Sequence, residues 1–291
     1  DLIFEKAGVQ TVVMTNDPLD EAERDIWLHH RRPDPRFQAA LRLDGLLLQW
    51  NKAWVKLRSE GYQVTLDLTE SCLGEIRRYL SDWLERMNPL YMAVSLPNTF
   101  QYPDETSVTT LIREAILPVA RQNNLPFALM IGVKRQINPD LRSAGDGMGK
   151  ADMSAVEYLC ANYPDNKFMV TMLSRENQHE LAVIARKFRN LLPFGCWWFL
   201  NNPSLIDEIT RMRTELLGLS YIPQHSDCRI LDQLLYKWHH SRAVIQQVLV
   251  EKYADLLATG WSVTESELAR DIADLLGGAF WTFCNQKALN E

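Results

Sequence analysis

Seven short runs of aliphatic and β-branched residues recur along the chain, most of them followed by a longer stretch of helical period, and this alternation leaves few folds open. The runs are residues 10–14 (QTVVM), 37–43 (FQAALRL), 90–96 (LYMAVSL), 127–132 (FALMIG), 168–173 (FMVTML), 194–200 (FGCWWFL) and 219–223 (LSYIP). They are too continuously apolar to alternate between core and solvent. Strands covered on both faces read this way. The intervening segments carry apolar stripes at three- and four-residue steps: Leu73, Ile76, Leu80 and Leu84 within 70–87, and Leu111, Ile112, Ala115, Ile116 and Val119 within 107–122. A third helix is expected over 202–217, because Asn202-Pro203 suits a first turn and Gly218 a stop. Strand followed by covering helix predicts an α/β fold with a parallel sheet.

Two architectures satisfy that pattern, an open doubly wound sheet and a closed (β/α)8 barrel. A doubly wound nucleotide-binding sheet wants a glycine-rich phosphate turn after its first strand. Here Met14 is followed by TNDPLDE, with no GxGxxG. A barrel uses eight strands. Residues 1–8 (DLIFEKAG) read as the end of a helix with a glycine stop, so an upstream segment carrying at least one further strand is expected; with it a TIM-like barrel would be complete, while an open doubly wound sheet of seven strands also fits the pattern. From Asp227 onward no strand candidate remains. Leu234, Leu235, Trp238, Ile245, Val248 and Leu249 keep a helical spacing, and Thr264-Glu-Ser-Glu is a capping-box start. Residues 227–291 therefore read as a helical closure of one catalytic domain spanning 1–291. The longest irregular segment is 134–150, and loops of that length often cover a site.

Composition narrows the partners. With 46% hydrophobic residues in 291, there is ample material for a large core. A formal charge of -6, from 31 Lys+Arg against 37 Asp+Glu, offers no basic field for nucleic acid. The apolar runs fall far short of the roughly 20 residues that span a bilayer. Neither nucleic acid nor membrane is expected as a partner. Five scattered cysteines, Cys72, Cys160, Cys196, Cys228 and Cys284, form no CxxC pair. That usage fits reduced thiols in a cytoplasm.

In a parallel barrel the chemistry gathers where strands end. The polar residues there are Asn16 and Asp17; Arg42 and Asp44; Ser95 and Asn98; Lys134 and Arg135; Arg175 and Glu176; Trp197, Trp198 and Asn201; and Gln224, His225, Asp227 and Arg229. Arginines with carboxylates suit an anionic, hydroxylated substrate. The densest stretch is Pro223-Gln-His-Ser-Asp-Cys-Arg229, where His225 and Asp227 stand two apart and share a side while the chain is extended. Asp227 could then ligate a metal or move a proton, or Ser226 or Asp227 could simply cap the next helix. Arg42, inside an apolar strand, requires a carboxylate partner, either in a structural ion pair or on a substrate. Trp197 and Trp198 on one strand would face opposite ways, so at most one could line a pocket. His239-His240 is spaced wrongly for a helical metal pair, and His179 belongs to the first turns of a helix.

Taken as an ordered set, GCWWFLNN (195–202), the helix after it and SYIPQHSDCRILDQLLYKWHHSR (220–242) resemble the carboxyl-terminal half of a uronate (glucuronate) isomerase of the amidohydrolase superfamily. The resemblance is closest to a divergent bacterial branch and extends from VVMTNDP and AALRLD through YMAVSLP, MIGVK and MLSRENQHEL over essentially the whole chain. It implies a distorted (β/α)8 barrel that interconverts aldose and ketose, D-glucuronate to D-fructuronate or D-galacturonate to D-tagaturonate, by moving a proton from C2 to C1 through a cis-enediol. It implies that Asp227 binds the divalent metal or moves the proton, that Arg229 stabilises the enediolate, that Arg42 holds the uronate carboxylate and that Trp198 lines the sugar pocket, with Gln224 and His225 beside it. The implied cofactor is a divalent metal of zinc type, weakly bound or dispensable, since Met130 stands where typical members carry histidine. The chain has no His-x-His. The remaining metal ligands are expected in the upstream segment, without which the 291 residues are expected to be inactive. The substrate is a small hexuronate, and a homo-oligomer is compatible. Two rivals remain: a metal-dependent hydrolase of lactones or amides, and a catalytically silent barrel.

Overall fold

The computed structural model describes residues 1–29 and 34–284. Its strands are β1 (Val12–Asn16), β2 (Phe37–Arg42), β3 (Met92–Pro97), β4 (Phe127–Lys134), β5 (Gly147–Met148), β6 (Phe168–Met172) and β7 (Leu191–Pro193). All belong to one sheet, ordered β1-β2-β3-β4-β6-β7, with β5 attached to β4. Every neighbour along that path is parallel, and only the β4–β5 pair is antiparallel. Apart from the short β5, the spatial order is the chain order, with no reversal. A doubly wound sheet turns back at a switch point, whereas a barrel keeps winding. Past β7, Ile222 bridges Phe194 in parallel, which extends the ladder by another position. The fold is α/β, a distorted TIM-type barrel.

The first five expected strands form within two residues of their predicted bounds. The last two do not. Residues 194–200 are not a strand: β7 lies just upstream, and Trp198–Leu200 is a 3-10 turn. Gly195 at φ 65° and Trp198 at φ 47° break the pleat that the apolar run suggested. Residues 219–223 contribute only the bridge at Ile222, whose N–H donates to Pro193 O and whose carbonyl accepts from Gly195 N–H. The irregular segment 134–150 is more ordered than its composition suggests. It holds a 3-10 turn at Pro139–Gly145 and then β5, because the Asp146 carboxylate accepts from both Arg135 and Gln136 N–H.

Alternate strand residues pack into two apolar layers. Leu41, Met92, Val94, Leu129, Ile131, Phe168 and Val170 meet the covering helices, whose expected stripes (Leu73, Ile76, Leu80 and Leu84; Ile112, Ala115, Ile116 and Val119) are buried there. Ala40, Ala93, Ala128, Met130 and Met169 form the layer on the opposite face. Both faces are dry, which is why the strands read as unbroken apolar runs. Helix Glu70–Met87 starts on Thr69, whose side chain accepts from Cys72 N–H. The 107–122 segment is helical throughout but contains a π turn at Ile112–Ile116, and Arg77 Nη1 donates to Glu114 O within it.

The first helix, Leu2–Ala7, ends at Gly8 as its sequence predicts. Helices Gln233–Ala258 and Glu265–Ala273 follow the last bridge, the latter with its capping box on Thr264 and Glu267. Phe280, Trp281 and Phe283 then pack against the inner layer, where Phe280 meets Tyr91 edge to face at 6.1 Å.

Candidate active site

Strand parity puts Arg42 and Ser95, two residues beyond Ala40 and Ala93, on the inner face at the carboxyl ends of β2 and β3. Of the two readings open for Arg42, an ion pair is present. Its Nε donates to Asp44 Oδ2 at 2.9 Å and its Nη2 to Asp44 Oδ1 at 3.0 Å and to Ser95 Oγ at 3.1 Å. Ser95 N–H also reaches Asp44 Oδ2 at 3.3 Å. Nη1 has no partner among the described residues, so the anchor reading also stands. Burial opposes the Arg42 charge, but Asp44, with help from Asp17 and Glu23, outweighs it and raises the guanidinium pKa above its ordinary value. Asp17 accepts from Leu19 N–H and Gly45 N–H. Burial nevertheless pushes its carboxyl above the usual range.

The segment after Ile222 is pinned from several sides. Gln224 donates to Ser241 Oγ and Asn201 Oδ1, and its own oxygen accepts from His225 N–H. Asn201 Nδ2 donates to His225 O at 2.9 Å, and Lys237 Nζ donates to Ser226 O and Asp227 O at 2.6 and 2.8 Å. The buried Gln224 amide is thus spent on holding this segment. Asp227 sits at φ 47°, a left-handed conformation that aspartate tolerates better than most residues. Its carboxylate is exposed and has no hydrogen bond or ion pair among the described residues, and neither does the Arg229 guanidinium. Neither Ser226 nor Asp227 caps a helix, since the next begins at Gln233.

His225 packs its ring edge-on to Phe194 at 5.4 Å, and its Nδ1 is buried without a partner among the described residues. Burial pushes its pKa down, Asp227 opposing and Lys237 reinforcing the shift. Close approach is enforced by Gly195: a Cβ built there would lie 2.0 Å from His225 Cβ. Gly195 O in turn accepts from the wholly buried Arg213, whose other nitrogen donates to Gln178 Oε1. Gln178 donates back to Met172 O and Ser174 O at the end of β6. Trp198, partly exposed, stacks on Phe199 at 4.7 Å and lies 6.1 Å from Trp197, so the two indoles are neighbours instead of facing opposite ways.

The expected residues therefore fall into two hydrogen-bonded groups, Arg42 with Asp44 and Ser95, and Gln224–Asp227 with Asn201. No hydrogen bond or ion pair joins these groups among the described residues. Arg229 is within electrostatic reach of Asp146: burial would raise that carboxyl, but Gln136 N–H, Arg135 and the Arg229 charge hold it low. Arg175 is paired with Glu208, and Glu176 with Ser174. Lys237, Ser241 and Arg213 were not singled out from the sequence. They lie on helices, where a cation or a serine reads as ordinary surface.

A parallel barrel presenting arginines, an unpaired carboxylate and a buried imidazole at its strand ends belongs to the class of TIM-type α/β proteins, whose active sites form at that end. A uronate isomerase from Bacillus halodurans matches 98% of this chain at 56% identity with a TM-score of 0.96, over 68% of its own length. The chain belongs to the uronate isomerase family. The fold is shared with a uronate isomerase from Thermotoga maritima (TM-score 0.78, 15% identity, 97% of this chain and 69% of that one). It is shared also with a glucuronate isomerase from Caulobacter crescentus (TM-score 0.75, 15% identity, 99% and 67%). No family model and no curated protein matches the chain.

Proposed function

We propose that this protein interconverts a hexuronate and its 2-keto isomer, D-glucuronate with D-fructuronate or D-galacturonate with D-tagaturonate. The observation that carries the reading is the 56% identity, over nearly the whole chain, to a uronate isomerase. The exposed side chains of Asp227 and Arg229, both without a hydrogen bond or ion pair of their charged groups among the described residues, supply the chemistry. Asp227 as carboxylate takes the C2 proton, the C–H electron pair becomes the C1–C2 double bond, and the carbonyl oxygen takes the negative charge beside Arg229. The O2 proton passes to O1, and Asp227 returns its proton to C1, leaving the ketone at C2. A guanidinium next to the carbonyl is needed because the C2 proton is otherwise too weakly acidic. Arg42 holds the distal carboxylate, Trp198 covers the sugar, His225 offers a neutral imidazole nitrogen, and Gln224 keeps their segment in place.

The divalent cation of zinc type that the resemblance implies on Asp227 does not fit the described residues. They contain no group of three or more His, Cys, Asp or Glu placed to hold a metal ion. Met130, buried on the inner layer, supplies a thioether where a hard or borderline cation would want oxygen or imidazole. Residues 1–291 form one catalytic domain in this reading, with 227–291 as closure; Arg211 to Glu251 and Lys167 to Phe283 O tie the closing helices to the barrel. Five free thiols support a cytoplasmic location. No helix among the described residues is long and apolar enough to cross a membrane.

Turnover of sugar acids by the intact protein decides between this and a hydrolase. Ketose formation from a hexuronate supports isomerisation, and lactone hydrolysis without it refutes the proposal.

A further inference from the structure

Arg42 raises a problem that its ion pair sharpens. A guanidinium recognises a carboxylate best through its Nε/Nη2 edge, where two parallel N–H groups match two oxygens. In this protein that edge is already taken by Asp44, a carboxylate of the chain itself, at 2.9 and 3.0 Å. The second proton of Nη2 is taken by Ser95 Oγ at 3.1 Å. Asp44 is in turn held by Ser95 N–H, and its side chain is mostly buried. Asp17 and Glu23 are further carboxylates near Arg42, but the two oxygens of Asp17 are committed to Leu19 N–H and Gly45 N–H, and Glu23 Oε2 accepts from Asp17 N–H. Among the described residues, Nη1 alone is left to an incoming anion.

We infer that Asp44 is a specificity-determining residue, which blocks the forked edge of Arg42 so that a small anion finds no bidentate site and only a sugar acid with further hydroxyl contacts is held. The inference rests on the assignment of Arg42 as the carboxylate anchor in the proposed function. A free guanidinium would take acetate, phosphate or sulfate as readily as the carboxylate end of a hexuronate, because the recognised group is the same. With its charge largely cancelled, Arg42 contributes an oriented N–H pair in place of a bare cation. The rest of the affinity must come from the hydroxyls, which distinguish a sugar acid from a simple anion. Asp44 acts through Arg42 and touches no reacting atom.

The test compares the intact wild-type protein with Asp44→Asn and Asp44→Ala, using sodium acetate as the anion probe at constant ionic strength. Inhibition of hexuronate turnover and acetate-dependent thermal shift are both read. Uncovering the fork is expected to tighten acetate binding about tenfold, one strong charge-assisted hydrogen bond's worth, and to lower kcat/KM for the hexuronate. A merely structural role would lower thermal stability and activity while leaving acetate affinity unchanged, and that outcome overturns the inference. The thermal-shift arm needs no turnover. Absence of isomerisation by wild type would refute the function, whereas unchanged acetate binding in both variants would refute the role of Asp44. Asp44→Asn, nearly isosteric, keeps the comparison open where Asp44→Ala does not fold.

Discussion

Gly195→Ala tests how the fold positions His225, the imidazole of the proposed site. Gly195 lies at φ 65°, and an added Cβ would stand 2.0 Å from His225 Cβ, 2.8 Å from its backbone nitrogen and 2.9 Å from its Cα. The left-handed backbone costs a non-glycine residue about 1–2 kcal/mol. Overlap with backbone that cannot rotate away adds about 1–3 kcal/mol. A loss of roughly 3 kcal/mol is a large fraction of the 5–15 kcal/mol typical of a folded protein. At a urea slope of about 3 kcal/mol per molar it moves the midpoint down by about 1 M. Relief to an ordinary 3.4 Å contact moves His225 by about 1.4 Å, and misplacement on that scale costs on the order of 100-fold in rate. Gly218→Ala is the control, since Gly218 has φ 62° but nothing within 4 Å of its would-be Cβ. It should lose only the backbone cost and keep its activity. Equal effects of the two substitutions on midpoint and turnover would show that the Gly195–His225 contact does not set the site.

Two further outcomes concern the scaffold. Arg78 and Gln63 N–H hold the Glu75 carboxyl down to about 2, well below its ordinary 4.5. The folded state therefore favours the charged form, and the resulting stabilisation is complete above pH 4.5 and disappears as pH falls toward 2. Melting temperatures of wild type and Glu75→Gln should converge across that interval, and a constant gap would contradict the assignment. Thr264→Ala removes the capping box of helix Glu265–Ala273 and should cost about 1 kcal/mol in urea unfolding, with hexuronate turnover unchanged; no measurable loss would mean the cap contributes nothing.

Much of the barrel was legible because its strands are buried on both faces and its helices on one, and these leave different periods in the sequence. The 70–87 helix and the Thr264 cap follow directly from local chemistry. Residues 194–200 misled because Cys-Trp-Trp-Phe has the composition of a strand, while the fold is set there by two left-handed residues, one of them a tryptophan. For the site, spacing brought out Arg42, Asp227 and Arg229 but could not decide what Arg42 pairs with. That depends on Asp44 starting a helix and on Ser95 lying two residues past the β2–β3 register. Lys237 and Arg213 left no signal, because a cation on a helix becomes a clamp only when the chain folds a carbonyl against it.

The most direct test is an NMR time course of the intact protein with D-glucuronate or D-galacturonate, run beside Asp227→Asn. The aldose C1 and C2 proton signals should give way to those of the 2-keto isomer at a rate that falls by orders of magnitude in the variant, whose exposed, unpaired side chain leaves folding intact. An unchanged sugar spectrum with wild type, or equal rates in both proteins, would contradict proton transfer by Asp227.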